Sequence, residues 1–207
     1  MSESVFESFE AYLKGADYPK GKKKIMQAAV DLISTKSYNG TSTLQIAKHA
    51  GLSQATLFKY FKTKEDLLTA ILHPVVPGLF GRFFEELLAL ETTEEKVHYL
   101  VQNRMAYLKT NRALMKIILQ EIFSNKKLRK EQLYIWNTLQ DKLLVLHKEL
   151  IADSRVNPEI TVPQMVRIFI GPLLAYFAQL YIVSDNSDIR EEDLNLLEKQ
   201  ILGGLWK

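Results

Sequence analysis

Residues 42–68 read STLQIAKHAGLSQATLFKYFKTKEDLL, and this stretch decides the fold of the N-terminal part of the chain. Ser42 and Ser53 each precede a short run with helical spacing of apolar side chains. A serine hydroxyl accepts a hydrogen bond from an unpaired amide at a helix start. Gly51 lies between the two runs, where a helix end favours a residue that adopts a positive φ. Two short helices joined by such a turn are typical of a helix-turn-helix.

Further residues of this stretch indicate helix starts and packing positions. Ser42 and Gln45 fit a capping box, in which each side chain bonds to the backbone amide of the other residue. Thr63 precedes another predicted helix, whose acidic first turn suits the positive end of the helix dipole. We expect the two short helices to pack through five apolar positions, namely Ile46, Ala47, Leu52, Leu57 and Phe58.

The net charge of +3 conceals a strongly basic segment around this motif. Residues 19–64 carry nine lysines and one acid, whereas residues 1–18 carry one lysine and four acids. A local excess of positive charge is the electrostatic footprint of a protein that binds a polyanion. A solvated basic face is the alternative, because it requires no partner.

The motif resembles the DNA-binding domain of the tetracycline-repressor (TetR) family of bacterial regulators. The resemblance covers roughly residues 20–68 and rests on Gly40–Thr43, Ile46–Ala47, Ala50–Ser53, Leu57–Phe58, Tyr60–Phe61 and Lys64–Leu67. It implies a homodimeric, sequence-specific regulator of transcription, most simply a repressor that a small ligand releases from an inverted-repeat operator. Phe58 departs from the family, which usually has Tyr at this position.

The predicted DNA-binding residues lie on and beside the second short helix. In readers of this kind that helix enters the major groove, where it would present Gln54, Ala55, Thr56, Lys59 and Tyr60. The resemblance implies base-edge or phosphate contacts for Gln54 and Thr56, and phosphate contacts for Tyr60. It adds Thr43 and Lys64 as further residues that would hold phosphates.

The second short helix and the DNA-binding residues beside it form the predicted reading head, and its composition favours A·T pairs. Every cation within residues 19–64 is a lysine, and the first arginine of the chain is Arg82. Arginine makes the commonest specific contact to guanine, whereas glutamine pairs with adenine and small apolar groups contact the thymine methyl. We therefore expect an A·T-leaning inverted repeat.

Beyond the motif the sequence predicts an all-α protein of nine to ten helices. We expect an extra N-terminal helical segment at 1–18, the helix-turn-helix domain at 19–68, and a ligand-binding and dimerisation domain at 69–207. The resemblance places an effector pocket for a small apolar or amphipathic ligand among the central helices, with Met105, Tyr107, Met115, Phe123, Tyr134, Trp136, Tyr176 and Phe177 as its lining. It places a homodimer interface on the last two long helices, with Ile168, Leu173, Leu180, Leu194, Leu197 and Ile201 as its contacts. The domain's own core is the alternative role for each of these residues.

Other classes of protein find little support in the sequence. The chain has no cysteine, which excludes disulfides and thiolate metal sites. The four histidines lack the spacing of a metal or protease motif, so we expect no metal, no cofactor and no catalysis. The longest apolar stretch, Ile168–Val183, is shorter than the ~20 residues of a bilayer span, which favours a buried helix of a cytoplasmic protein. A low-specificity DNA-coating or partner-binding protein of the same fold stays open as the alternative function.

Overall fold

The computed structural model describes residues 8–74, 82–121, 126–184 and 188–207, with side chains for all of these except 126–136 and 138. Within these ranges the chain forms eleven α-helices and a π-helical turn, and no strand. Strand-type pairing there is limited to an isolated antiparallel bridge between Val156 and Trp206. The predicted all-α class is confirmed.

The helices follow one another closely along the chain. In order they are α1 (Phe9–Gly15), α2 (Lys20–Lys36), α3 (Thr43–His49), α4 (Gln54–Tyr60), α5 (Lys64–Leu72), α6 (Phe83–Leu88), α7 (Thr93–Thr110), α8 (Arg112–Glu121), α9 (Lys126–Ala152), α10 (Val162–Ala178) and α11 (Glu191–Leu205). The π-helical turn, Gln179–Val183, continues α10. The described residues thus contain one helix more than the upper end of the predicted range.

The chain divides into two compact units, and neither unit is continuous in sequence. The first unit comprises Met1–Gly81 and Thr110–Leu133, and the second comprises Arg82–Lys109 and Tyr134–Lys207. This division groups α8 with the helix-turn-helix, whereas the predicted boundary after residue 68 assigned that stretch to the second domain. The domain boundaries drawn from the sequence stay a prediction.

Helix α2 is the centre of the first unit. It packs against α3, α4, α5 and α8, and its Ile25, Met26, Ala29 and Ile33 are fully buried. Neighbours on several sides explain why the buried face is wider than the single stripe of an ordinary surface helix. Burial of a large aliphatic side chain stabilises a fold by about 1.5–3 kcal/mol, so this helix anchors the others.

Helices α10 and α11 pack together in the second unit. The amide and the hydroxyl of Thr161 both donate to Gln164 Oε1 over 2.8 Å, which fixes the start of α10. A Cβ at Gly204 of α11 would lie 3.0 Å from Ile168 of α10, so the glycine allows a close approach of the two helices.

The stretch Val162–Val183 is the one described helix long and apolar enough to cross a membrane by length and composition, with a mean hydropathy of 1.7 in its most apolar window. Core helices of soluble proteins pass the same test. Its buried residues follow helical spacing, at Met165, Phe169, Leu173 and Phe177, which places one face of this helix in the core of the second unit.

Candidate nucleic-acid interface

The two short helices begin where their serine caps predict. The amide of Gln45 donates to Ser42 Oγ over 3.2 Å, and the amide of Ser42 donates to Gln45 Oε1 over 2.8 Å. The Ser53 hydroxyl accepts from the Thr56 amide over 3.1 Å. These bonds satisfy amides that a helix start leaves unpaired. The capping box at Ser42 and the cap at Ser53 are both confirmed.

The turn between α3 and α4 is built on Gly51. Its φ of +68° lies in the left-handed region, as predicted. The amide of Gly51 donates to the carbonyl of Lys48, and the amide of Leu52 donates to the carbonyl of Ala47. This pair of bonds is the Schellman arrangement, which closes one helix and redirects the chain into the next.

The packing of α3 on α4 agrees with the predicted apolar positions except at Phe58. Ile46, Ala47 and Leu57 are fully buried and Leu52 is half-buried, whereas 45% of Phe58 is exposed. The prediction that Phe58 closes the helix pair is wrong. Phe61, just beyond the end of α4, is buried instead. Successive helix positions are about 100° apart, so the inward Leu57 turns Phe58 outward.

The outward face of α4 joins an apolar and a cationic part. Ala55, Phe58 and Lys59 are exposed and share this face at i, i+3 and i+4 spacing. Phe58 is the member of this face that the sequence analysis missed. The signal that could have found it is its position three residues after Ala55, a residue already predicted to face outward.

Gln54 is held in place by a residue of the other helix. Its Nε2 donates to Thr43 Oγ1 over 2.9 Å, and both side chains are half-buried. The structure thus brings together two predicted DNA-binding residues that lie eleven positions apart. A glutamine amide carries two donor hydrogens and an acceptor oxygen. One hydrogen and the oxygen suffice for an adenine edge, so the bond to Thr43 is compatible with base recognition.

Thr56 and Tyr60 are half-buried at opposite ends of α4. The hydroxyls of Thr56 and Ser53 lie 2.9 Å apart, which ties Thr56 to the helix start. Tyr60 lies against the first turn of α2, since a Cβ at Gly21 would be 3.1 Å from its hydroxyl. Tyr60 therefore combines packing against α2 with a position beside the lysines of that helix.

The ammonium group of Lys64 contacts Tyr38 within the first unit. Its ammonium donates to the carbonyl of Tyr38 and lies 3.9 Å from the centroid of the Tyr38 ring. Burial lowers the pKa of Lys64, and the carboxylate of Glu121 opposes that shift. Burial likewise raises the pKa of Glu121, and the charge of Lys64 opposes it. An ammonium has three donors, so a phosphate would share Lys64 with Tyr38.

The predicted pocket residues that the structure describes are buried. Met105, Tyr107, Tyr176 and Phe177 belong to the second unit and Met115 to the first. Phe123 and the side chains of Tyr134 and Trp136 lie outside the described residues. A cleft of about 320 Å³ in the second unit is lined by Leu88, Leu90, Glu91, Thr93, Lys96, Glu149 and Ala152, a set that contains none of the eight predicted residues. In the described part of the chain, no group of three or more acids and histidines is arranged to hold a metal ion.

Most of the predicted dimer contacts lie in the core of the chain itself. Leu173, Leu180, Leu197 and Ile201 are buried within one chain, which was their alternative role. Ile168 and Leu194 are half-buried. The exposed apolar side chains on the same helices are others: Ile170, Ile182, Val183 and Leu196.

The fold and the reading head together define a helix-turn-helix protein, and comparisons with known proteins specify the family. Residues 25–71 match the family described as "Bacterial regulatory proteins, tetR family". This match confirms that residues 25–71 resemble the DNA-binding part of the TetR family.

Individual relatives are similar over different parts of the chain. The Bacillus subtilis fatty acid metabolism regulator protein is 29% identical over 85 residues, which cover 41% of this chain and 44% of the relative. The chain spans only a quarter to about half of the length of the first curated relatives it matches. These relatives are named as regulators, not enzymes.

Solved structures of the family share the fold over most of the chain. The TetR family transcriptional regulator PfmR from Thermus thermophilus superposes with a TM-score of 0.69 at 22% identity, covering 88% of this chain and 99% of that one. FadR from Bacillus subtilis, in complex with stearoyl-CoA, superposes with a TM-score of 0.65 at 22% identity, covering 87% of this chain and 95% of that one. The whole described chain therefore has the fold of TetR-family regulators.

Proposed function

We propose that the protein is a sequence-specific DNA-binding transcriptional regulator, a repressor that binds an inverted-repeat operator as a homodimer and is released by a small ligand. The observation that carries this proposal is the outward face of α4, where Ala55, Phe58 and Lys59 are exposed beside the Gln54–Thr43 pair. Apolar, amide and cationic groups on one helix face match the groups that a major groove presents.

Selection of bound duplexes from a random DNA pool, at about 150 mM salt, tests the proposal. We expect enrichment of an inverted repeat with A·T-rich half-sites, because the reading head offers Gln54 and lysines but no arginine. Enrichment of G·C-rich half-sites would contradict the base preference while leaving the regulator in place. Strong salt-dependent binding without enrichment would favour the alternative of low-specificity DNA coating.

Dimerisation is proposed from the exposed apolar residues of the second unit. Four large apolar side chains of α10, its π-helical turn and α11 are exposed to water, namely Ile170, Ile182, Val183 and Leu196. Burial of such residues against a second copy removes apolar surface from water. A two-fold dimer would present two copies of α4 to two half-sites, which explains why an inverted repeat is expected.

The effector is proposed to be a long-chain fatty acyl thioester. The support comes from one curated relative named as a fatty acid metabolism regulator and one similar structure that holds stearoyl-CoA. This class is amphipathic, as the sequence analysis expects of the effector. Titration of the protein–operator complex with stearoyl-CoA tests the proposal. Release at micromolar concentration by stearoyl-CoA, but not by free coenzyme A, is the expected result, and no release by stearoyl-CoA would exclude this class.

A further inference from the structure

The N-terminal helix α1 is a part of the molecule that the proposed function leaves without a role. Its start is fixed by Ser8, whose hydroxyl accepts from the amide of Ala11 over 3.1 Å. Its Phe9 and Leu13 are buried, each with 6% of the residue exposed. This short helix is therefore packed into the first unit.

The start of α2 carries an unfavourable concentration of positive charge. Lys20, Lys22 and Lys23 occupy the first turn, which contains no acid, and Pro19 provides no side-chain cap. The amino end of a helix is itself the positive end of the helix dipole, so cations there repel it. Such a turn is stabilised by negative groups, which DNA phosphates would supply.

In this structure two of these lysines are engaged by the N-terminal segment instead. The Lys22 ammonium lies 3.9 Å from the centroid of the Tyr18 ring and 5.7 Å from that of Phe61. Lys23 Nζ donates to the carbonyl of Lys14 over 3.2 Å. A ring face and a carbonyl at the carboxyl end of a helix both carry partial negative charge.

The position of Tyr18 is itself fixed by α1. The hydroxyls of Tyr18 and Tyr12 lie 3.0 Å apart, and the two rings meet edge to face at 6.3 Å. Undocking α1 would therefore remove the support of the Tyr18 ring and the carbonyl that Lys23 uses. Lys20 and Lys24, in contrast, are exposed.

We propose that α1 and Tyr18 act as an intramolecular competitor of DNA. They hold Lys22 and Lys23 through partial negative charges, which backbone phosphates must displace before these lysines contact DNA. The inference rests on the proposed DNA-binding function and adds to it a built-in limit on non-specific affinity.

The test measures salt dependence of DNA binding in full-length variants. Leu13→Gln should undock α1 without adding charge. Tyr18→Leu removes the nearer of the two rings beside Lys22, together with the hydroxyl that meets Tyr12. Each lysine that gains a phosphate steepens the plot of log affinity against log salt concentration by about 0.9. For each protomer we expect a steepening of about 0.9 for Tyr18→Leu and about 1.8 for Leu13→Gln, and twice these values for the proposed dimer, with tighter binding at low salt. Over a fourfold change in salt, a steepening of about 1.8 corresponds to about tenfold in affinity.

Matched variants separate release of lysines from a general change of charge. Glu10→Gln removes an exposed acid that pairs with Lys14 on α1 itself, so the slope should stay that of the wild type. Adding Lys22→Gln to Tyr18→Leu should abolish the steepening, whereas Lys22→Gln alone should change the slope little. An equal effect of Lys22→Gln in both backgrounds would overturn the proposal.

The remaining outcomes are also decisive. An unchanged or shallower slope in folded Tyr18→Leu protein overturns the competitor role while the proposed function stands. If Leu13→Gln does not fold, as judged by circular dichroism, Tyr18→Leu decides alone. If neither wild type nor variants bind any duplex, the proposed function fails and this inference fails with it.

Discussion

Gln54 carries the sharpest prediction about sequence recognition. Gln54→Ala should lose about 1–3 kcal/mol of binding free energy, confined to one A·T pair of each half-site, because a glutamine amide bonds to adenine at two points. Fluorescence anisotropy on the selected operator, and on a duplex with that pair exchanged for G·C, measures the loss. Thr43→Val is the comparison: it keeps the Gln54 side chain and removes a hydroxyl predicted to hold a phosphate, so its loss should be similar on both duplexes. If the exchange is as costly for Gln54→Ala as for the wild type, Gln54 does not read that pair.

Phe58 predicts a dependence on the thymine methyl group. Its exposed ring lies beside Ala55 on the outward face of α4, and apolar side chains recognise thymine through that methyl. Replacing operator thymines by deoxyuridine should weaken the binding of the wild type severalfold and weaken the binding of Phe58→Ala less. Leu57→Ala serves as a contrast, since Leu57 is fully buried and its loss should lower stability instead. Equal sensitivity of wild type and Phe58→Ala to deoxyuridine would argue against a methyl contact.

These residues show how far local sequence carries the interpretation. The caps at Ser42 and Ser53 and the positive φ of Gly51 follow from interactions within a few residues, and the structure confirms them. The orientation of Phe58 and the bond between Lys64 and Tyr38 depend on which helices pack together, which spacing alone does not reveal. An aromatic residue next to a buried leucine was therefore assigned to the core, although it faces outward.

At the scale of single elements, we expect that replacing Gly51 in the turn between α3 and α4 strains the backbone without causing a steric clash. A Cβ there would meet nothing within 4 Å, but the φ of +68° disfavours any residue with a Cβ. Gly51→Ala should lower the free energy of unfolding by about 1–2 kcal/mol. Gly203→Ala is the matched control, because its Cβ is also unobstructed but the residue lies in α11. There the substitution should raise stability by up to about 1 kcal/mol. Thermal or urea denaturation distinguishes the two, and equal effects would contradict the account.

A cluster of charged residues at the start of α7 should make the free energy of unfolding depend on pH. Arg155 bonds to Glu94 and Asp153, and Thr93 Oγ1 donates to Asp153 over 2.9 Å. The Arg155 bonds hold the pKa of Asp153 well below its usual range and also lower that of Glu94. A carboxylate with a lowered folded-state pKa stabilises the fold above its unfolded pKa and loses this effect as pH falls through the folded value.

The stability difference between wild type and Arg155→Met should therefore shrink as pH falls below about 4. Urea denaturation at several pH values between about 6 and 2 measures this difference. Arg190→Met is the comparison. Arg190 bonds to Asp193 at the start of α11, and this bond also lowers the pKa of the carboxylate that it contacts. A difference that is constant over this range would show that the Arg155 bonds do not favour the ionised carboxylates.

At the scale of the whole molecule, neighbouring leucines of α11 separate assembly from stability. Leu196 is 54% exposed, whereas only 4% of Leu197 is exposed. Leu196→Glu should keep the fold but shift the protein to a monomer and weaken binding to the full inverted repeat more than to a half-site. Leu197→Glu should unfold the second unit, because it buries an unpaired charge. Sedimentation and circular dichroism measure the two effects, and a dimeric Leu196→Glu protein would move the interface elsewhere.

The fold class of the described residues is predictable from the sequence, since helical periodicity dominates from α2 onward. The contacts of the second unit were less so, because every apolar residue of α10 and α11 fits both a core and an interface. Leu173 and Leu197 are in the core, whereas Ile170 and Leu196, only three and one positions away, are exposed. A helix that is apolar on most sides leaves this choice to its neighbours, which only the structure identifies.

The grouping of α8 with α2 has a consequence for how such proteins diversify. Because the first unit draws on two separate stretches of chain, its core is completed by residues encoded some forty positions beyond α5. Exchange of the N-terminal motif alone between relatives would place a foreign α2 against the resident α8. Recombination that preserves a working protein must therefore carry both stretches, or be followed by compensating substitutions in α8. The helix-turn-helix region therefore does not form a complete folding unit without α8. A fragment that ends at α5 should expose the face of α2 that α8 covers.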